Sequence, residues 1–268
     1  MRIAKLACIL FFPSVPAAAE EAPVTSDVDE EPRVDAKLLA GTDYVSGKLD
    51  GRGYETVSMS GGLSARSGQF FLNAAMPYVV TTAPEELIVS NGGVLGTPLL
   101  SQPSVQSRQV TREGLGDLVF QGGYLFPIGS VNASIAGNLK VPTASRDIAL
   151  GTGEFDYGMS GQVSRRFGRT VLFASASYTV IGEPEGYDVQ NTLAGTVGSY
   201  FLVGDDSSVT VSYNYEESAT TNIGNQQSVG LGVETGLSSR IQLGLEARTG
   251  LSRDAPDARV GLRIGFGF

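Results

Sequence analysis

The last ten residues, Arg259–Phe268, read RVGLRIGFGF. Val260, Leu262, Ile264, Phe266 and Phe268 fall on one face of an extended strand, and Gly261, Arg263, Gly265 and Gly267 fall on the other. An edge strand of a soluble sandwich can alternate in this way. Chain ends usually fray into water, however, whereas this one stops on a phenylalanine with no polar tail. The stretch therefore asks which solvent its apolar face meets, packed protein or lipid.

The same period runs back along the chain. In VTVSYNY, Val209, Val211, Tyr213 and Tyr215 oppose Thr210, Ser212 and Asn214. In RIQLGLEARTG, Ile241, Leu243 and Leu245 oppose Gln242, Gly244, Glu246 and Arg248. About twelve such segments are predicted, near 37–46, 53–62, 68–80, 115–126, 131–142, 155–167, 170–181, 190–203, 208–217, 226–237, 240–250 and 258–268. Most are long enough for a tilted membrane-spanning strand, which needs about nine to eleven residues, and longer than the five or six usual in soluble sheets.

Their connections alternate in length. LSARSG, FPIGS, FGRT, GDDS and LSSR are short, and between them come longer loops around 47–52, 81–114, 143–154, 182–189, 218–225 and 251–257. Short turns at one end and long loops at the other, with an even strand count, are the pattern of outer-membrane barrels. The polar face carries Asn132, Asn138, Lys140, Gln162 and Arg166, too polar for a packed core. These features predict an all-β fold, an antiparallel up-and-down transmembrane β-barrel of about twelve strands spanning 37–268. The apolar face of RVGLRIGFGF then meets lipid, and the strand must pair with the first to satisfy its backbone. Tyr54, Tyr78, Tyr124, Phe126, Tyr178 and Tyr200 fall near strand ends, where aromatic girdles sit.

Composition bounds the chemistry. The 268 residues carry a net charge of −9, 35 glycines, one cysteine, and neither histidine nor tryptophan. Without histidine there is no Ser-His-Asp triad, no histidine-ligated zinc and no histidine base. No catalytic residue, cofactor or metal is assigned. Asp205 and Asp206 read as closing a turn rather than holding calcium, and the acidic balance excludes nucleic acid as a partner. Residues 1–19 have the charged start, apolar core and AAAE end of a secretory signal, which would remove Cys8 and leave no disulfide. Residues 20–36, acidic and with two prolines, read as a flexible periplasmic tail.

Several stretches together carry a resemblance: GLGD at 114–117, KVPTA at 140–144, LGTGEFDY at 150–157, GTDYVSGKLDGR near the start, AAMPYVV at 74–80 and the late GLSRDAPDARVGLRIGF. In order and spacing they resemble the MetA-pathway of phenol degradation family of Gram-negative outer-membrane proteins, often described as transporters. The SRDIA insertion after the Pro-Thr motif and a long third loop depart from its pattern. The resemblance implies a barrel in the outer membrane associated with uptake of hydrophobic or aromatic compounds. The C-terminal Phe268 resembles the signal read by the outer-membrane assembly machinery.

Candidate functional residues follow from alternation. Pairing Phe126 with Val131 across the FPIGS turn places Asp117 directly opposite Lys140 near the mouth, with Asp156 beside them on the next strand. The three either filter entry or pin the strand register and loop ends, the second being favoured. Arg166, Glu234, Glu246, Arg248 and Arg263 are expected to line the lumen. The apolar content of loop 81–114 fits either a constriction folded into the barrel or an outer hairpin. The leading expectation is passive passage or uptake of small molecules, apolar or aromatic ones among them. The alternative is a non-conducting barrel for envelope integrity. Expected partners are outer-membrane lipid, the assembly machinery and an unidentified solute, with a monomer the simpler state and both termini periplasmic.

Overall fold

The computed structural model describes residues 34–49, 51–85, 87–89, 99–101 and 108–268. The expected export signal, and the acidic stretch as far as residue 33, lie outside the described residues. No described helix is long and apolar enough to cross a membrane; the chain crosses with strands.

In chain order the strands are β1 (Val34–Leu49), β2 (Arg52–Ser67), β3 (Phe70–Pro84), β4 (Leu87–Val89), β5 (Leu99–Ser101), β6 (Gln109–Leu115), β7 (Leu118–Ile128) and β8 (Val131–Val141). They continue with β9 (Asp156–Phe167), β10 (Thr170–Val180), β11 (Thr192–Val203), β12 (Ser207–Glu216), β13 (Gln226–Gly236), β14 (Ile241–Gly250) and β15 (Ala258–Gly267). Each wall strand pairs antiparallel with its neighbours, and β6 and β7 together take the place beside β3. Closure comes from β1 on β15, in register from Lys37↔Gly267 to Ser46↔Ala258. The result is a closed antiparallel barrel of twelve wall strands, with β4 and β5 as a separate hairpin. A closed sheet leaves no unpaired edge in the hydrocarbon, which is why the terminal strand must be a wall strand.

Sidedness is inverted relative to a soluble protein. Val260 and Phe266 point out and are about two-fifths exposed, whereas Gly261 and Gly265 are buried inside. Along β12, Val211 and Tyr213 face out while Ser212 and Asn214 are buried. On β9 the outward Tyr157 and Phe167 lie ten positions apart. At a rise of about 3.3 Å and a tilt of about 40° that spans ~25 Å, the height of an outer-membrane apolar band.

Several expectations are corrected. The 47–52 connection is not a loop: Leu49 faces Arg52 across two residues, with Gly51 at φ 78°, as its Asp-Gly sequence favours. Residues 109–114, assigned to a loop, belong to β6 (Gln109–Leu115); its polar sequence QVTREGL hides the alternation. The FPIGS turn has only two residues, so Ile128 faces Val131 and Phe126 faces Ala133. Lastly, Tyr54 and Tyr200 are not girdle residues; both point inward and are buried. Tyr200 packs with Val171 and Phe173 inside the turn end, its ring centroid 6.1 Å from that of Phe173. β1 also begins at Val34, three positions before the expected start.

Candidate functional site

The site is built around one irregularity in the wall. Pro77, in the middle of β3, has no N–H to give to the neighbouring strand. There the partner bulges: Leu115 pairs with Tyr78 and Val119 with Ala75, so one extra residue is fitted at Gly116–Asp117. Gly116 N–H still donates to Pro77 O at 2.8 Å, and a Cβ on Gly116 would come 2.8 Å from Pro77 Cγ, so only glycine fits. Arg112 and Asp117, five positions apart, would lie on opposite faces of a regular strand; the bulge turns both inward, and both are buried.

Asp117, Lys140 and Asp156 do come together. Lys140 Nζ lies 2.6 Å from Asp156 Oδ2 and 3.6 Å from Asp117 Oδ2, with all three side chains at most 5% exposed. The pairing differs from expectation, because the two-residue turn shifts the register. Lys140 is opposite Val119 on one side and opposite Asp156 on the other, and Asp117 reaches it diagonally from the bulge. Each carboxylate also accepts a backbone N–H from a long loop, Asp117 from Ala144 at 3.0 Å and Asp156 from Gly182 at 2.9 Å. Lys140 donates to Thr152 Oγ1 at 3.2 Å, so the cation reaches the same loop that Asp117 holds. Gly151 packs so closely that a Cβ there would sit 2.7 Å from Ala144 Cβ and 3.1 Å from Asp117 Oδ2.

Above this triad the mouth is apolar. Within loop 81–114 the described residues 87–89 and 99–101 pair as the β4–β5 hairpin, whose Leu87, Ile88, Val89 and Leu100 are all buried. Leu87 and Val89 pack with Val45, Leu49, Tyr54 and Ala83 of the long first strands and with Ile223 from the far rim. Ile88 and Leu100 pack with Ile181 and Ala219, against Tyr187 and Val189. The hairpin thus bridges strand ends on both sides of the barrel and folds inward over the lumen, the constriction alternative rather than the outer hairpin. Arg112, which alternation alone did not single out, holds its base: Nη2 donates to Pro84 O at 2.8 Å and to Leu87 O at 3.0 Å, and Nη1 to Ala149 O at 3.1 Å.

Below the mouth the lumen has two kinds of wall. Across β3, β7, β8 and β9 runs an amide ladder, Asn73 to Gln121 at 3.0 Å, Gln121 to Asn138 at 3.0 Å and Asn138 to Ser160 at 3.2 Å. Across β13, β14, β15 and β1 the wall is charged. Arg248 donates to Glu246 at 2.5 Å and Arg263 to Asp43 at 2.7 Å, and Arg259 lies 3.5 Å from the same Asp43 oxygen. Glu246, Arg248 and Arg263 therefore face the lumen as expected, and Glu234 lies beside them on β13. Arg166 lies on the inward period of β9, opposite the inward Val171, but at the turn end, where it is exposed and donates to Gly168 O. Asp43 and Arg259 were overlooked, although each falls on the inward period of its strand. Asp205 and Asp206 lie in the β11–β12 turn, and no group of three metal-ligating side chains gathers among the described residues.

Comparison with known proteins accords with this architecture. The model of the family described as "Putative MetA-pathway of phenol degradation" matches residues 45–268. No curated protein matches the chain. Among solved structures, an outer-membrane channel from Pseudomonas putida F1 is 11% identical, with a TM-score of 0.60 over 93% of this chain and 100% of that one. The CymD monoaromatic hydrocarbon channel is 10% identical, with a TM-score of 0.46 over 87% of each chain. The KdgM porin is 8% identical, with a TM-score of 0.46 over 85% of this chain and 99% of that one. At these identities the first likeness establishes a shared outer-membrane barrel fold.

Proposed function

The chain belongs to the MetA-pathway of phenol degradation family, and on that premise we propose that it is a passive outer-membrane route for small molecules, apolar and aromatic ones among them. In this reading residues 1–19 are a cleaved export signal, the turn end and both termini are periplasmic, and the long loops face outward. Phe268, outward and three-quarters exposed, serves assembly rather than packing.

One observation carries the reading: an apolar hairpin is folded into the mouth of a lumen that is otherwise polar. A hydrated ion gains nothing from such a lining. A ring of roughly 200 Å² that is half covered there gains about 2.5 kcal/mol at ~25 cal/mol/Å², enough to concentrate it and weak enough to release it. The inward Val171, Phe173 and Tyr200 offer a second apolar step at the turn end. The buried triad supports passage indirectly, by fixing the loops that frame the mouth. No catalytic role is assigned.

The test is conductance of the refolded mature protein in planar bilayers, beside a variant with Leu87, Ile88, Val89 and Leu100 changed to Ser. Small discrete openings in the wild type, enlarged in the variant, are expected. Silence from both, with folding shown by heat-modifiable migration, would overturn a water-filled route and favour the envelope-integrity alternative.

A further inference from the structure

The charged wall sets two of its arginines directly against each other. Arg248 on β14 and Arg259 on β15 are direct cross-strand partners, and like charges facing one another across a sheet are destabilising. The neighbouring carboxylates are already engaged. Glu246 takes Arg248 Nε at 2.5 Å, and Asp43 Oδ1 takes Arg263 Nη2 at 2.7 Å. Arg259 Nη2 reaches only that second oxygen, at 3.5 Å, beyond the ordinary length of an N–H···O bond. Glu234 belongs to the row of Arg263, through Gly244, and not to the row of Arg259. Arg259 lies on the inward period of β15 with its side chain 16% exposed, and none of its nitrogens is both buried and without a partner.

Glycines let the side chains of Arg248 and Arg263 lie close to the wall. A Cβ on Gly230 would lie 2.7 Å from Ser212 Oγ and 3.2 Å from Arg248 Cγ. One on Gly261 would lie 2.7 Å from Arg263 Nη1 and 2.8 Å from Asp43 Oδ1, and one on Gly41 would lie 3.0 Å from Arg263 Cδ. The Arg263 guanidinium is thus held along the lining instead of reaching across it.

We propose that Arg259, backed by Arg248, is a carboxylate-binding step on the path through the lumen, and that the solutes carried include small monocarboxylates with an apolar body. A guanidinium presents paired donors that match the two oxygens of a carboxylate, and an anion between Arg248 and Arg259 relieves their repulsion. The assignment rests on the diffusion-channel reading above: the apolar hairpin receives the body of the solute, and the arginine step receives its charged end. Release follows from the nearby Asp43 and Glu246, which compete with the solute for the same guanidinium groups.

The test uses the refolded mature barrel in detergent at neutral pH, titrated with sodium benzoate and, separately, with neutral benzyl alcohol, each followed by saturation-transfer NMR. Saturable benzoate binding is expected, weakened at least tenfold in Arg259→Gln and several-fold in Arg259→Lys, which keeps the charge but loses the paired donors. Benzyl alcohol binding is expected to be the same in all three. The lysine variant carries the test if the glutamine variant does not fold. Equal benzoate binding in wild type and variants, or none by folded wild type, overturns the proposal. The bilayer recordings separate the two readings: a conducting barrel that ignores benzoate refutes the arginine step alone, and a silent barrel that binds it refutes passage alone.

Discussion

Replacing Lys140 with Met removes the one cation from a site where two carboxylates are at most 5% exposed. Methionine fills nearly the same volume, so little of the effect comes from packing. What remains is a pair of buried acids, each with one backbone N–H, from Ala144 or Gly182. Breaking a buried ion pair by deleting one member costs about 3–5 kcal/mol, because the partner is left uncompensated. At these exposures solvent screening recovers little of that. With a urea slope of about 2–3 kcal/mol/M, the unfolding midpoint of the refolded barrel falls by about 1–2 M. Adding Asp156→Asn removes one of the stranded charges and restores about 1–2 kcal/mol, a coupling of the size found between touching groups. Limited proteolysis should also reach residues 142–155 and 181–191 sooner in the single variant than in the wild type. A midpoint shift below about 0.3 M, or additive effects in the double variant, would refute the view that this triad fastens the loops of the mouth.

Arg112→Met removes three bonds to the carbonyls of Pro84, Leu87 and Ala149. It is expected to free the hairpin without unfolding the barrel, seen as noisier and larger bilayer currents with unchanged heat-modifiability. Gly261→Ala places a Cβ within 2.8 Å of both Arg263 and Asp43. It is expected to break that 2.7 Å pair and push Arg263 into the lumen, shifting the reversal potential under a salt gradient; an unchanged potential would show that the pair does not border the path. Deleting Phe268, which is 75% exposed, is expected to leave the refolded barrel's unfolding free energy in urea within about 0.5 kcal/mol of wild type. The same deletion should sharply lower the amount assembled in cells, so equal amounts in membranes would remove its role as an assembly signal.

Much of the barrel was legible because lipid imposes a simple rule. Every outward position must be apolar, so RVGLRIGFGF and VTVSYNY show their period without help from packing. Register was not legible in the same way. A two-residue turn and a four-residue turn suit FPIGS equally by composition, and the choice moves every pairing on β7 and β8 by two positions. Lys140 and Asp117 still meet, because a lysine side chain is long enough to absorb the slip. The bulge left one trace that can be read: Pro77 in the middle of an alternating strand cannot donate to its neighbour, so an irregularity had to follow there. Strand β6 left none, because above the lipid band nothing forces its outward residues to be apolar.

The two sets of inward charges differ in a way that alternation cannot display. Asp117, Lys140 and Asp156 share the inward period with Arg248, Arg259 and Arg263, so the sequence treats them alike. In the fold, the first three are at most 5% exposed, and each is tied to backbone or hydroxyl groups of the long loops. The three arginines are 11–16% exposed; Arg259 and Arg263 share Asp43, and Arg248 holds Glu246. Burial makes an uncompensated charge expensive, so charges that hold structure must come with full sets of partners. A charge at a water-filled surface can leave donors open at little cost, and only such a group has donors left for a passing solute. Exposure, rather than charge, thus separates the frame of this barrel from the proposed path.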